Sequence, residues 1–225
     1  LNIGVIKNIE KLGISEDVIN AYETSKTVLT GLGHKLIEVD FSELSSGICS
    51  YYVIAPAECS SNLSRFDGVK YGYRSEGEKD IANLYMNTRS DGFGDEVKKR
   101  ILIGTHVLSA GFYDAYYLQA QKVRRMIKVK FENFFKDVDL IFMPTTLDQA
   151  FEKNRKSDDP NRMYKEDLLT IPANLAGLPA ISFPNGFKNN LPIGGQLIGK
   201  YFGEDLLLNT TNKIQEVTDW HKMTP

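Results

Sequence analysis

Apolar positions along the first forty residues alternate between a short run and a helical stripe, which predicts a strand, a helix and a second strand. LNIGVIK (1–7) is typical of a short buried strand. Ser15, which precedes two acidic residues, indicates a helix start, and the stripe that follows ends near Gly33. HKLIEVDF (34–41) predicts the second strand. A strand–helix–strand unit of this kind favours a parallel strand pair.

The middle of the chain has the three- and four-residue apolar spacing of helices. The predicted helices span 50–64, 81–91, 95–110 and 113 to about 136. RFDGVKYGY (65–73) contains two glycines and has no period, which predicts an ordered loop. Basic residues lie off the apolar stripe of the last helix, and this pattern fits a solvated face or, alternatively, contact with a polyanion.

The last third returns to strands. Its predicted elements are a strand at 139–146, a surface loop at 147–160, a helix at 162–176 broken near Pro172, strands at 180–184 and 192–199, and a helix at 203–217. The last two strands are expected to be joined by a turn that contains Asn185-Gly186 and Asn189-Asn190. Strands that alternate with helices indicate an α/β fold class.

Composition is that of an ordinary globular protein. The 225 residues are 42% apolar and 25% charged, with a formal net charge of −2. The chain therefore lacks the basic excess typical of a nucleic-acid module. No apolar run approaches the ~18 residues of a membrane span. The first residue is Leu1 rather than methionine, so we expect that a segment has been removed or that the chain is part of a longer one.

Familiar catalytic and metal-binding motifs are not found in the sequence. Cys49 and Cys59 have no CxxC spacing and are expected to be reduced thiols. The three histidines form no HExxH, and we predict no metal site. GxSxG, GxxxxGK[ST] and GxGxxG are also missing. These patterns alone indicate an α/β domain without assigning a function.

Several charged residues stand beside apolar ones. Arg100 precedes three aliphatic residues, Asp167 precedes two leucines, and Asp67 lies between two aromatics. Each fits a structural ion pair or rim charge as well as a ligand contact. The pair Gly194-Gly195 lies inside a predicted strand, where it indicates either a bulge or the wall of a ligand site.

Longer segments carry a family resemblance. They are SYYVIAPAECSSNLSRFDGVKYGYR (50–74), SDGFGDEVKKRILIGTHVLSAGFYDAYYLQAQKVR (90–124), FMPTT (142–146), DDPNRMYKEDLLTIPANLAGLPAISFP (158–184) and LPIGGQLIGKYF (191–202). Together they resemble the C-terminal half of the A subunits of glutamyl-tRNA(Gln) amidotransferases, which belong to the amidase signature family. The resemblance covers nearly the whole chain.

The resemblance implies a fold and a function. Residues 1–225 would form the C-terminal part of a single α/β amidase domain, with a mixed central sheet flanked by helices. Such A subunits hydrolyse glutamine, and the ammonia supports ATP-dependent conversion of Glu-tRNA(Gln) to Gln-tRNA(Gln). The implied protein partners are the B and C subunits, with tRNA bound mainly by the former, and no membrane is implied. The chain itself would hold no cofactor, whereas ATP and magnesium belong to the partner. The expected location is cytoplasmic, or organellar in a eukaryote.

The resemblance also implies which residues are missing. The family uses a serine nucleophile activated through a second serine by a lysine, in a run rich in glycine and serine. This chain has no such run, and its serine pairs Ser45-Ser46 and Ser60-Ser61 lack the flanking glycines. We therefore assign no catalytic residue and expect the isolated chain to be inactive.

By the same resemblance, this half would recognise the substrate. Arg100, in EVKKRI, would hold the α-carboxylate of glutamine; Asp167, in YKEDLLT, would hold its α-ammonium; and Tyr51, in SYYVIA, would line the same pocket. At Gly195 the family more often has a bulky apolar residue, so we expect lost packing and a looser strand there.

Two alternatives remain open. One is a stand-alone amidase that acts on another amide, although such a substrate would leave Arg100 and Asp167 unpaired. The other is a non-catalytic assembly or binding module that docks on the other proteins of a complex.

Overall fold

The fold is described from a computed structural model, for residues 1–77, 79–151 and 166–224. The chain forms two compact units. Unit 1 comprises Leu1–Ile48 and Arg124–Pro225, and unit 2 comprises Cys49–Val123. Each unit is described by itself.

Unit 1 is built on a five-stranded mixed sheet. Its strands are β1 (Asn2–Ile6), β2 (Lys35–Val39), β3 (Leu140–Pro144), β4 (Ala180–Lys188) and β5 (Leu191–Gly199), in the order β2-β1-β3-β5-β4. β1 pairs in parallel with β2 and with β3, whereas β5 is antiparallel to both β3 and β4. The predicted parallel pair at the start of the chain is therefore confirmed.

Seven α-helices lie in the described ranges. They are α1 (Glu16–Gly31), α2 (Gly47–Leu63), α3 (Ile81–Gly92), α4 (Asp95–Val107), α5 (Leu118–Asp137), α6 (Ile171–Ala176) and α7 (Glu204–Glu216). A π-helical turn at Tyr113–Tyr117 leads into α5. α1 and α7 pack on the sheet of unit 1. The α/β class with a mixed, helix-flanked sheet is thus confirmed.

The core of unit 1 lies around β3, whose five residues are all buried. The ring of Phe142 stacks on the ring of Tyr22 from α1, with centroids 5.2 Å apart. The Tyr22 hydroxyl accepts a hydrogen bond of 2.8 Å from the backbone N–H of Ile6. Burial raises the pKa of Tyr22, so this hydroxyl stays neutral.

Unit 2 is helical, and a glycine sets the closest approach between two of its helices. A Cβ atom on Gly104 of α4 would lie 1.9 Å from the carbonyl oxygen of Pro56 in α2. One residue further along α4, the hydroxyls of Thr105 and Ser60 are hydrogen-bonded at 2.9 Å. Only glycine fits at position 104 without separating these two helices.

Two expectations about the last third were wrong in detail. Pro172 does not break a helix: α6 begins at Ile171, and the proline occupies its first turn, where its missing N–H costs nothing. The hairpin turn is Asn189-Asn190 alone, with φ of 52° and 61°, whereas Asn185-Gly186 lies within β4 at a register shift. The predicted loop beyond residue 151 and the predicted helix before residue 166 lie outside the described residues.

Gly195 does not leave a packing gap, which corrects the expectation of a looser strand. A Cβ atom at this position would lie 2.9 Å from Cγ of Asn185, whose side chain is almost fully buried. The Asn185 side chain is also hydrogen-bonded to the hydroxyl of Ser25 in α1. Both glycines of the pair lie in regular ladder positions, and the bulge belongs to β4 instead.

Candidate substrate-binding residues

Arg100 is held from two sides on α4 in unit 2. Its Nε donates to Oε1 of Glu96 at 2.9 Å, as expected for residues four apart on one helix face. Its Nη1 makes a long hydrogen bond of 3.5 Å to the hydroxyl of Tyr51 from α2. The structure therefore brings together two of the three residues predicted to bind glutamine.

These contacts fix the charge of Arg100 and leave it accessible. The hydrogen bond to Tyr51, followed by that to Glu96, raises the pKa of Arg100, so the guanidinium stays cationic. A third of its side chain is exposed. Because a guanidinium has five N–H donors and the two contacts engage Nε and Nη1, it retains donors suited to a carboxylate.

Tyr51 is half-buried and packs edge-on against Tyr52, with ring centroids 5.1 Å apart. This contact orients the phenol, and its hydroxyl then meets Arg100. The ring of Tyr51 therefore packs within α2, and its hydroxyl supports the Arg100 guanidinium.

Asp167 belongs to unit 1, where it opens the turn that precedes α6. Its backbone carbonyl accepts hydrogen bonds from the N–H of Thr170 at 3.2 Å and of Ile171 at 3.0 Å. Leu168 and Leu169 in the same turn are buried, and Leu169 is fully so. The turn is thus anchored by its leucines, while the Asp167 side chain is half-buried.

Gln196, which was not among the residues predicted from the sequence, holds this turn against the sheet. Its side chain projects from β5 and is 4% exposed. Its Nε2 donates to the carbonyl of Pro144 at 3.2 Å and to the carbonyl of Leu169 at 2.9 Å. The sequence did contain a sign, because Gln196 is the one amide within the apolar run PIGGQLIG.

Two hydroxyl groups from either side of β5 meet near the end of β3, one from Thr145 directly after β3 and one from Ser182 in β4. Oγ1 of Thr145 and Oγ of Ser182 are hydrogen-bonded at 3.0 Å. A Cβ atom on Gly194 would lie 2.9 Å from the same Thr145 oxygen. Gly194 of β5 therefore lets the Thr145 side chain at the end of β3 come close to the β5 backbone. This role is structural.

Asp67 has a structural role as well. Its Oδ1 accepts hydrogen bonds from the backbone N–H of Val69 at 2.8 Å and of Lys70 at 3.4 Å. The bond from Val69 holds the pKa of this carboxyl below its usual range. The carboxylate orders the glycine-containing loop as an Asx turn does.

Metal-ligating side chains are not clustered in the described ranges. No group of three or more His, Cys, Asp or Glu residues there is placed to hold a metal ion. Cys49 and Cys59 are both free thiols. None of the described helices combines the length and apolar character needed to cross a membrane.

Comparison of the sequence with models of known protein families shows which class of protein this chain is. Residues 1–208 match the family model described as Amidase. The match extends over both units and includes Tyr51, Arg100 and Asp167. The chain therefore belongs to the amidase family.

Curated relatives narrow this likeness to one branch. The chain is 51% identical over all 225 residues to the A subunit of the glutamyl-tRNA(Gln) amidotransferase of Coxiella burnetii, and 52% identical to that of Hahella chejuensis. It covers 47% and 46% of those proteins, so it spans about half the length of the curated relatives it matches.

Comparison with solved structures gives the same kind of relative. The crystal structure of the glutamyl-tRNA(Gln) amidotransferase A subunit from Thermotoga maritima superposes with a TM-score of 0.73 at 37% identity. The match covers 100% of this chain and 44% of that one. A 6-aminohexanoate cyclic dimer hydrolase shares the fold at 20% identity, with a TM-score of 0.72; the match covers 100% of this chain and 46% of that one.

Proposed function

We propose that this chain forms the glutamine-recognition part of the glutaminase subunit of a glutamyl-tRNA(Gln) amidotransferase. The chain is about 50% identical over its whole length to the A subunits of such amidotransferases, and this supports the assignment. The observation that carries the site is the partly exposed Arg100 guanidinium, supported by Tyr51 and Glu96. It offers a fixed positive charge where a free amino acid substrate needs one.

Glutamine presents an α-carboxylate and an α-ammonium to its binding site. In this proposal Arg100 holds the carboxylate by charge-assisted hydrogen bonds, which are typically worth about 1.5–3 kcal/mol. Tyr51 orients the guanidinium and lines the pocket. Asp167 holds the ammonium. Recognition of both groups distinguishes glutamine from a simple amide, because a simple amide offers neither charge to the site.

The chemistry itself needs groups beyond those assigned here. Hydrolysis of the side-chain amide releases ammonia and leaves glutamate. The serine and lysine residues that the family uses for this step have no counterpart in the sequence, so we propose that the chain alone is inactive. Ammonia would pass to the B subunit, which binds ATP, magnesium and most of the tRNA, and the C subunit would hold the other two together. We place this assembly in the cytoplasm.

The test is Asp167→Ala in the complete protein, assembled with its partners. We expect glutamine-dependent formation of Gln-tRNA(Gln) to fall by about 10- to 150-fold, while formation from added ammonia continues, since ammonia bypasses glutamine hydrolysis. Asp205→Ala, at an exposed position on α7, is the matched control and should leave both activities unchanged. Equal loss of both activities in Asp167→Ala would contradict the assigned role.

A further inference from the structure

One buried amide in unit 1 joins two segments that are far apart in sequence. Gln196 donates through the same Nε2 to the carbonyl of Pro144, the last residue of β3, and to the carbonyl of Leu169. Because an amide nitrogen carries two hydrogens, both donors are used. A buried amide is tolerated where its hydrogen bonds are made, which is the case here.

The backbone of β5 already pairs with β3 without this side chain. Met143 lies opposite Gln196 and Pro144 lies opposite Gly195 in the antiparallel ladder, and Thr145 donates to the carbonyl of Gly194 at 2.9 Å. The sheet therefore does not depend on the Gln196 amide for its register. What the amide adds is the second bond, which reaches out of the sheet to Leu169.

Leu169 lies two residues after Asp167 in a closed turn. The Asp167 carbonyl accepts hydrogen bonds from the N–H groups of Thr170 and Ile171, so the backbone from 167 to 171 forms one hydrogen-bonded turn. The Leu169 side chain is fully buried, and this burial anchors the turn in the core. A shift of the Leu169 carbonyl therefore shifts the backbone that carries the Asp167 side chain.

We infer that Gln196 is a positioning residue for substrate recognition: by clamping the Leu169 carbonyl to the end of β3, it sets the place of the Asp167 carboxylate. This inference rests on the proposed function, in which Asp167 binds the α-ammonium of glutamine. Gln196 itself touches no substrate. Its effect is selective, because it acts on recognition of the amine and leaves the amide chemistry alone.

The test uses Gln196→Met in the complete, assembled protein. Methionine keeps the length and most of the volume of glutamine but donates no hydrogen bond. Hydrolysis rates are measured for glutamine and for 4-carbamoylbutanoate, which is glutamine without its α-amino group. We expect kcat/KM for glutamine to fall about 10- to 100-fold, mainly through KM, as for a misplaced binding group. The analogue should change by less than about twofold, so the preference for glutamine collapses.

Two controls accompany this variant. Gln119→Met replaces an exposed glutamine of α5 and should retain the full preference. Ammonia-dependent formation of Gln-tRNA(Gln) should be unchanged in Gln196→Met. If the methionine variant fails to assemble, Gln196→Asn, which keeps the amide on a shorter side chain, should show the same loss of preference to a smaller degree.

The outcomes separate this inference from the proposed function. Parallel loss for glutamine and the analogue, or a full preference retained in Gln196→Met and Gln196→Asn, would overturn the positioning role alone. A wild-type protein that hydrolyses both compounds equally well would overturn the proposed function, and this inference with it.

Discussion

The two units of the chain differ in how many of their apolar side chains are buried. Unit 1 buries every residue of β3 and stacks Tyr22, Phe142 and Phe183 through its centre. In the described part of unit 2, by contrast, only five apolar side chains are buried, and large ones are well exposed, with Leu102 at 71% and both Ile81 and Met86 at 62%. Unit 1 also exposes single large side chains, with Phe202 at 92%, but it holds most of the buried apolar residues and therefore the main core, whereas unit 2 relies on a few tight contacts.

The candidate site residues follow the same division. Asp167 is fixed by a buried leucine pair and by Gln196, all of which belong to the packed sheet unit. Arg100 is fixed by Glu96 on its own helix and by Tyr51 on the neighbouring one. Damage to the core of unit 1 should thus affect the whole fold, while damage to unit 2 should act through single helix contacts.

The largest contrast is expected between Phe142→Ala and Leu102→Ala. Phe142 is fully buried, so its truncation should lower the free energy of unfolding by about 3–5 kcal/mol. Leu102 is largely exposed, so its truncation should change that free energy by less than about 0.5 kcal/mol. Denaturant unfolding of the complete protein measures both. Similar losses would mean that Leu102 is buried there and that the contrast between the units is false.

A smaller but local effect is expected from Gly104→Ala in unit 2. The new Cβ would overlap the Pro56 carbonyl, so α2 and α4 must separate at a cost of about 2–3 kcal/mol. Amide hydrogen exchange should speed up in these two helices and not in β3. Gly94→Ala, where a Cβ meets nothing within 4 Å, is the matched control. Unchanged exchange in Gly104→Ala would refute the tight helix contact.

In unit 1 the corresponding glycine is Gly195. Gly195→Ala should lower the free energy of unfolding by about 1–2 kcal/mol, because the Asn185 side chain must move and its bond to Ser25 weakens. Asn185→Ala removes Cγ and Oδ1 but leaves its own Cβ 3.0 Å from the new atom, so in that background the substitution should cost less than in the wild type without becoming neutral. A double-mutant cycle measures this coupling. Purely additive losses would contradict the account of Gly195 as space for Asn185.

The smallest effect concerns pH and the loop of Asp67. The pKa of this carboxyl is lowered in the folded protein, so its contribution is complete above the ordinary aspartate pKa and is lost as pH falls through the lowered value. We expect protection of the Val69 amide to decline in that acidic range in the wild type. Asp67→Asn keeps the acceptor oxygen and should remove the pH dependence. A decline of the same size in Asp67→Asn would show that another group is responsible.

Local patterns predicted more of the fold than of the site. The β1–α1–β2 unit follows from spacing within forty residues, because neighbours in sequence decide it. Pro172 was misjudged because the same residue ends one helix and begins another, depending on what precedes it. Glu96 beside Arg100 was within reach of sequence reasoning, as a pair four residues apart on a helix. The Gln196 contact with Leu169 was not, because only the folded sheet brings these residues together.

The most direct measurement compares Arg100→Met and Asp167→Ala on two altered substrates in the assembled protein. Both 4-aminobutanamide, which lacks the α-carboxylate of glutamine, and 4-carbamoylbutanoate, which lacks its α-amine, are compared with glutamine by kcat/KM. Arg100→Met should lose its preference over the first compound only, and Asp167→Ala over the second only, each by roughly 10- to 150-fold. Equal losses for all three substrates in both variants would contradict the division of glutamine recognition between these two residues.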